Sequence, residues 1–183
     1  MSVRIVPIPY AWEPLPSELD PEGATAVRLA RILASWEGTR YLEGCQGKAQ
    51  GVDCVRFVAA VLDELYGFAR VPTDRLPQDI ALHRPGSARA AMRKILRIYS
   101  PNERVSGITT QPGDVFVIGE PDGGPGHAMI VGPRKNTLWH ATPIGVHYTG
   151  WGQYAGQAVV HEVYRLSDRE RWAAANASLL EAT

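Results

Sequence analysis

The sequence predicts an α+β domain in which helices come first and an antiparallel sheet follows. Three observations carry that expectation. Apolar residues recur at helical spacing in the first part of the chain. After Pro112 the pattern switches to short runs of β-formers separated by turn residues. These runs follow one another without intervening helical stretches, so alternating βαβ units and a parallel sheet are not expected. At 183 residues the chain suits one domain with a real core, since a chain of this size buries roughly two-thirds of the surface its unfolded form exposes. Residues 1–21, rich in proline and acidic side chains, read as an irregular arm, and 22–183 as a single domain.

The elements follow in order. Over 22–36, Val27, Ala30, Leu33 and Ala34 recur at helical spacing, and Leu29, Ile32 and Trp36 widen the stripe. Next, 38–51 (GTRYLEGCQGKAQG) holds four glycines in fourteen residues, a composition that reads as a loop with close backbone approaches. Cys54, Val58, Val61 and Leu65 then fall at i, i+4, i+7 and i+11, one face of a helix. Asp53 suits its N-cap and Gly67 its terminator. Residues 68–87 read as a proline-containing loop and 88–99 as a further amphipathic helix. Strands are expected over 114–119 (DVFVIG), 127–132 (HAMIVG), 137–142 (TLWHAT) and 158–166 (AVVHEVYRL), with a further short one around 145–149. A terminal helix begins near Ser167, where Ser167 and Glu170 fit a capping box.

Composition narrows the function classes. Nineteen basic side chains balance nineteen acidic ones, so no global field selects nucleic acid or an anionic membrane as a partner. The local basic cluster Arg89, Arg93, Lys94 and Arg97 fits one solvated helical face. No run of eighteen apolar residues occurs, so no membrane span is expected. The N-terminus carries two prolines and no apolar run ahead of a small-residue cleavage site, which points to cytoplasmic synthesis without a signal peptide. Cys45 and Cys54, nine apart, are expected as free thiols in that compartment. They lack the spacing of a zinc site, and no metal is expected.

On the helix pattern alone, Cys54 reads as a small buried apolar residue. The histidines change that reading. The strands at 127–132 and 137–142 are linked by four residues, Pro133 to Asn136. Pairing Gly132 with Thr137 places His140 opposite Met129 and His127 opposite Thr142. His127 and His140 then share a face as diagonal neighbours, roughly 7–8 Å apart at the backbone. A thiol in the first turn of a helix is favoured as its anion, and a histidine base needs a second group to fix its tautomer. Taken singly, His127 also reads as a turn residue and His140 as a satisfied core histidine. His83, His147 and His161 lack comparable placement and read as surface or packing residues.

A family resemblance joins these pieces. Gly38-Thr-Arg-Tyr41 followed by Gly51-Val-Asp-Cys54-Val-Arg-Phe-Val58 resembles the nucleophile region of the NlpC-type cell-wall cysteine peptidases. Gln111-Pro-Gly-Asp114-Val-Phe-Val, Gly126-His127-Ala-Met-Ile-Val-Gly132 and Trp139-His140-Ala141 resemble later elements of that family, in the same order, over about residues 25–150. Val55-Arg56 stands where the family carries Ser-Gly, and Glu43-Gly44 where it carries Trp-Gly. Forms borne by bacteriophages and gene-transfer particles often have G-V-D-C followed by an aliphatic residue, and this sequence is similar to those.

The resemblance implies a papain-like fold, with the nucleophile helix packed on an antiparallel sheet. It implies Cys54 as nucleophile, His127 as base and His140 as the group that orients the base. It further implies Tyr41 as a support for oxyanion or substrate, and the backbone N–H groups of Cys54 and Val55 as oxyanion donors. The implied reaction is amide hydrolysis through a thioester in the peptide stem of peptidoglycan, without metal or organic cofactor. Phage-like tail proteins are the implied partners and a virion or tail the implied location, acting in the cell wall. Two alternatives remain open at this point. One is a structural or binding module of a tail with little catalysis; the other is a cysteine amidase or acyltransferase on other substrates.

Overall fold

The computed structural model describes residues 21–66, 111–119, 126–134, 136–154 and 159–164. The arm before Pro21, the loop over 68–87, the helix over 88–99 with its basic cluster and the helix after Ser167 lie outside the described residues.

The first helix, α1, runs Pro21–Trp36, with proline at its first position, where a missing N–H costs nothing. Its buried stripe is Ala26, Leu29, Ile32, Leu33 and Trp36. This corrects the expected stripe: Ala34 is exposed, and Val27 and Ala30 are only partly covered. Leu29, Leu33 and Trp36 fall at i, i+4 and i+7, and large side chains gain far more from burial than alanine, so they set the face. Trp36 meets Phe57 edge to face with centroids 5.9 Å apart, and its indole N–H donates to Glu64 Oε1 at 2.8 Å.

The stretch after α1 is not wholly loop, as the glycine count suggested. It holds a short hairpin, β1 (Gln46–Gly47) against β2 (Gly51–Val52), and a parallel bridge from Tyr41 to Val52. Gly51 sits at φ 128, and a Cβ there would fall 2.6 Å from Leu42 Cβ, so only glycine allows this closure.

The second helix, α2, runs Cys54–Tyr66. Asp53 caps it as expected: its Oδ1 accepts the Arg56 N–H at 2.8 Å. The helix is buried on every side over its first ten residues, not on one stripe, because it is wedged among α1, the β1–β2 hairpin and the sheet strands β4 (His127–Val131) and β5 (Thr137–Thr142).

The sheet has five antiparallel strands in the order β6-β5-β4-β3-β7. They are β3 Val115–Gly119, β4 His127–Val131, β5 Thr137–Thr142, β6 Gly145–Gly150 and β7 Val159–Tyr164. Both faces are covered. Val115, Val117, Ala128, Ile130, Trp139, Ala141 and Val146 pack toward α1 and α2. Phe116, Ile118, Met129, Val131 and Leu138 form a second core with Trp151, Tyr154, Val160 and Val163. Burial on both faces explains why β3 and β4 read as continuous apolar runs. The result is α+β, with a cysteine-led helix laid on an antiparallel sheet.

Candidate active site

The β4–β5 register decides where the histidines meet. Ile130 pairs with Trp139 and Val131 with Leu138, and Gly132 N–H donates to Thr137 O at 2.9 Å. This is the expected register, so His140 lies across from Met129 and His127 two residues further along the same face. The two rings touch: His127 Nε2 and His140 Nδ1 are 2.7 Å apart. His140 is 1% exposed, whereas His127, at the start of its strand, is half-buried.

The β4–β5 ladder stops at Ile130–Trp139 although both strands continue. Val131 N–H points to Asp114 on the β3 side and Gly132 N–H to Thr137 on the β5 side. Strict alternation therefore aims the Ala128 N–H at β5, beyond the last ladder pair. That N–H instead meets the Cys54 sulfur. The splay between β4 and β5 thus admits the start of α2, and the thiol meets the backbone at the residue next to His127.

Three backbone N–H groups, those of Ala128, Val55 and Cys54 itself, favour the thiolate. Burial outweighs them. Cys54 is 3% exposed, and desolvation, with a smaller contribution from the Asp53 charge, pushes the thiol up to about 12. The resting sulfur is therefore a neutral thiol. The imidazoles are neutral too. Burial first, then His147, lowers His127 to about 4; burial, then His127, then His147, lowers His140 to about 3.

Asp53 and Arg56 form a buried ion pair at 0% and 4% exposure. Asp53 Oδ2 also accepts the Gly44 N–H at 3.1 Å. Arg56 is engaged by Asp53, and it is the Asp53 carboxylate that ties the turn at Gly44 to the head of α2. Tyr41 is half-buried, bonded to Glu43 and close to Cys54. Burial, reinforced by Cys54, Glu43 and Asp53, pushes its phenol well above the ordinary range. Its loop is held against β6, where Gly38 N–H donates to Val146 O and Val146 N–H to Thr39 O, both at 2.8 Å.

Three contributors escaped the sequence analysis. The Ala128 N–H carries no side-chain signal. Tyr154, after a 3-10 turn at Trp151–Gln153, brings its hydroxyl to 3.3 Å from His140 Nδ1. His147 pairs directly with His140 across β5–β6, with ring centroids 4.5 Å apart. Its signal was present in the spacing, since His140 and His147 flank a two-residue turn, Pro143-Ile144, at matching positions. Among the described residues no group of three or more acidic, histidine or cysteine side chains is arranged to hold a metal ion.

No protein-family model matches this sequence, and no curated protein matches it either. Among solved structures, the chain is similar to a protein described as similar to lipoprotein, NLP/P60 family, from Staphylococcus aureus subsp. aureus Mu50. The identity is 21%, covering 85% of this chain and 45% of that one, with a TM-score of 0.49. It is also similar to the NlpC/p60 domain of the peptidoglycan hydrolase SagA, at 20% identity over 74% of this chain and 97% of that one, with a TM-score of 0.47.

Proposed function

We propose that the protein is a cysteine hydrolase that cleaves amide bonds in peptidoglycan stem peptides, with Cys54 as nucleophile, His127 as base and His140 as its orienter. The observation that carries this reading is the 2.7 Å contact between His127 Nε2 and His140 Nδ1, beside the strand splay into which Cys54 is set. With Nε2 engaged, Nδ1 is the nitrogen of His127 left to take a proton. A base that accepts at Nδ1 carries its hydrogen on Nε2 and donates it to His140 Nδ1.

In the first step the Cys54 proton passes to His127 Nδ1 as the sulfur attacks the scissile carbonyl. Because the resting thiol is neutral, transfer accompanies attack. The oxyanion is received by N–H groups at the start of α2, those of Cys54 and Val55, with Tyr41 at the rim. The C–N bond breaks, and the leaving amine takes the proton from His127. A water then gives its proton to His127 and attacks the thioester. The C–S bond breaks, the sulfur takes the proton back from His127, and the acid leaves with the Cys54 thiol restored. The peptidoglycan substrate and a phage-like tail setting rest on the sequence resemblance.

The test is mass spectrometry of muropeptides after digestion with the wild-type protein and with Cys54→Ala. New fragments with wild type only are expected; identical digests sink the peptidoglycan assignment. The burial of Cys54 favours a second reading, a tail module that keeps the fold with little catalysis. Iodoacetamide labelling separates the two. Faster alkylation of Cys54 than Cys45, reduced by His127→Ala, supports the enzyme; equal, slow labelling of both supports the module.

A further inference from the structure

The rings around His140 are unequally held. His127 binds its Nδ1, but His140 Nε2 is buried and has no hydrogen-bond partner among the described residues. No polar contact from a described residue fixes that end of the ring, which leaves packing to confine its plane. The nearest ring is His147, with centroids 4.5 Å away and planes tilted by 48°; His127 and Tyr154 are further, at 5.0 Å and 5.9 Å. His147 is itself anchored, its Nδ1 lying 3.0 Å from the Gly145 carbonyl. A carbonyl only accepts, so the hydrogen sits on His147 Nδ1. Gly145 holds that carbonyl at φ 105, in the left-handed half of the map, with a Cβ position only 3.0 Å from Thr39 O.

We propose that His147 is a positioning residue for the His127 base: anchored on the Gly145 carbonyl, its ring backs His140 and confines the pair to the arrangement in which His127 Nε2–H donates to His140 Nδ1. The proposal rests on the Cys54–His127–His140 reading and assigns His147 no contact with substrate. Among the described residues, the titratable groups facing His140 are His127 from β4, His147 from β6 and Tyr154 from the turn after β6. Cys54 stands where β4 and β5 diverge, at the Ala128 N–H. His147 also disfavours a proton on either partner, which keeps the base free to accept one.

The test compares wild type, His147→Ala, His147→Phe and His127→Ala. Two readouts are taken against pH: alkylation of Cys54 by iodoacetamide, and NMR titration of the His127 and His140 ring signals. His147→Ala removes the backing ring and is expected to slow alkylation about ten- to a hundredfold, the cost of a modest misplacement of a catalytic group. Its acid limb should move to higher pH, because a neighbouring imidazole that opposed protonation is gone. His147→Phe restores the ring and should recover most of the rate while keeping the displaced limb. An unchanged rate and limb in His147→Ala overturns the proposal. So does a loss equal at every pH, with His127 and His140 titrating as in wild type, since that is the mark of a structural role alone. If His127→Ala alkylates like wild type, the base assignment fails instead, and the ring titrations still decide whether His147 positions the pair.

Discussion

His127 and His140 approach to 2.7 Å through Nε2 and Nδ1, from neighbouring strands whose ladder has already ended at Ile130–Trp139. The same early ending frees the Ala128 N–H for the Cys54 sulfur. One backbone irregularity therefore makes room for the helix led by Cys54 beside His127.

If that contact orients the base, its partner is replaceable only by another acceptor. His127→Ala is expected to lower hydrolysis about 10²- to 10⁴-fold, the usual worth of a general base. His140→Asn, whose side-chain oxygen can accept the Nε2 hydrogen, should retain more activity than His140→Ala. Steady-state hydrolysis of a soluble muropeptide gives the order. An equal loss in both His140 variants would remove the acceptor role.

The buried Asp53–Arg56 pair makes a stability prediction. Asp53→Ala removes the cap of α2 and leaves the 4%-exposed Arg56 without its counter-ion. Breaking a buried pair on one side costs about 3–5 kcal/mol. Urea unfolding followed by circular dichroism should show a loss in that range, well beyond the roughly 1 kcal/mol of a cap alone.

Acid should destabilise the protein. In the unfolded chain both imidazoles titrate near the ordinary value of about 6.5; in the fold, burial lowers His127 to about 4 and His140 to about 3. The unfolded state then binds protons that the folded state refuses. This contribution to stability is fully present above about pH 6.5 and is lost as pH falls through about 4 to 3. Thermal midpoints measured across that range should fall, and fall less in His140→Leu.

Gly145→Ala should be costly. The position has φ 105, and the added Cβ would stand 3.0 Å from Thr39 O, across the pair of bonds that ties the Tyr41 loop to β6. Strain of this kind costs on the order of 1–3 kcal/mol. A lower thermal midpoint is expected, together with slower Cys54 alkylation, because the same glycine carries the carbonyl that holds His147. An unchanged midpoint would mean the loop yields freely.

Much of this was legible in the residues. The N-cap at Asp53, the positions of the strands along the chain and the β4–β5 register follow from local chemistry: an acceptor before a helix, runs of β-formers, and a loop whose length sets the pairing. Hence the spacing alone puts His127 and His140 on one face. What read wrongly was burial. The α1 stripe was shifted, and α2 looked one-sided, because periodicity reports that a face exists and not how many neighbours surround it.

The sequence by itself determined the α+β class, the cysteine at the head of a helix and the two histidines within reach of each other, all consequences of spacing along the chain. Only the tertiary structure decided that Arg56 is spent on Asp53, that Ala128 turns its N–H to the sulfur, and that His147 and Tyr154 close around His140. Those depend on which strands diverge and which surfaces meet. Such contacts join residues whose separation along the chain carries no period, so no local pattern encodes them.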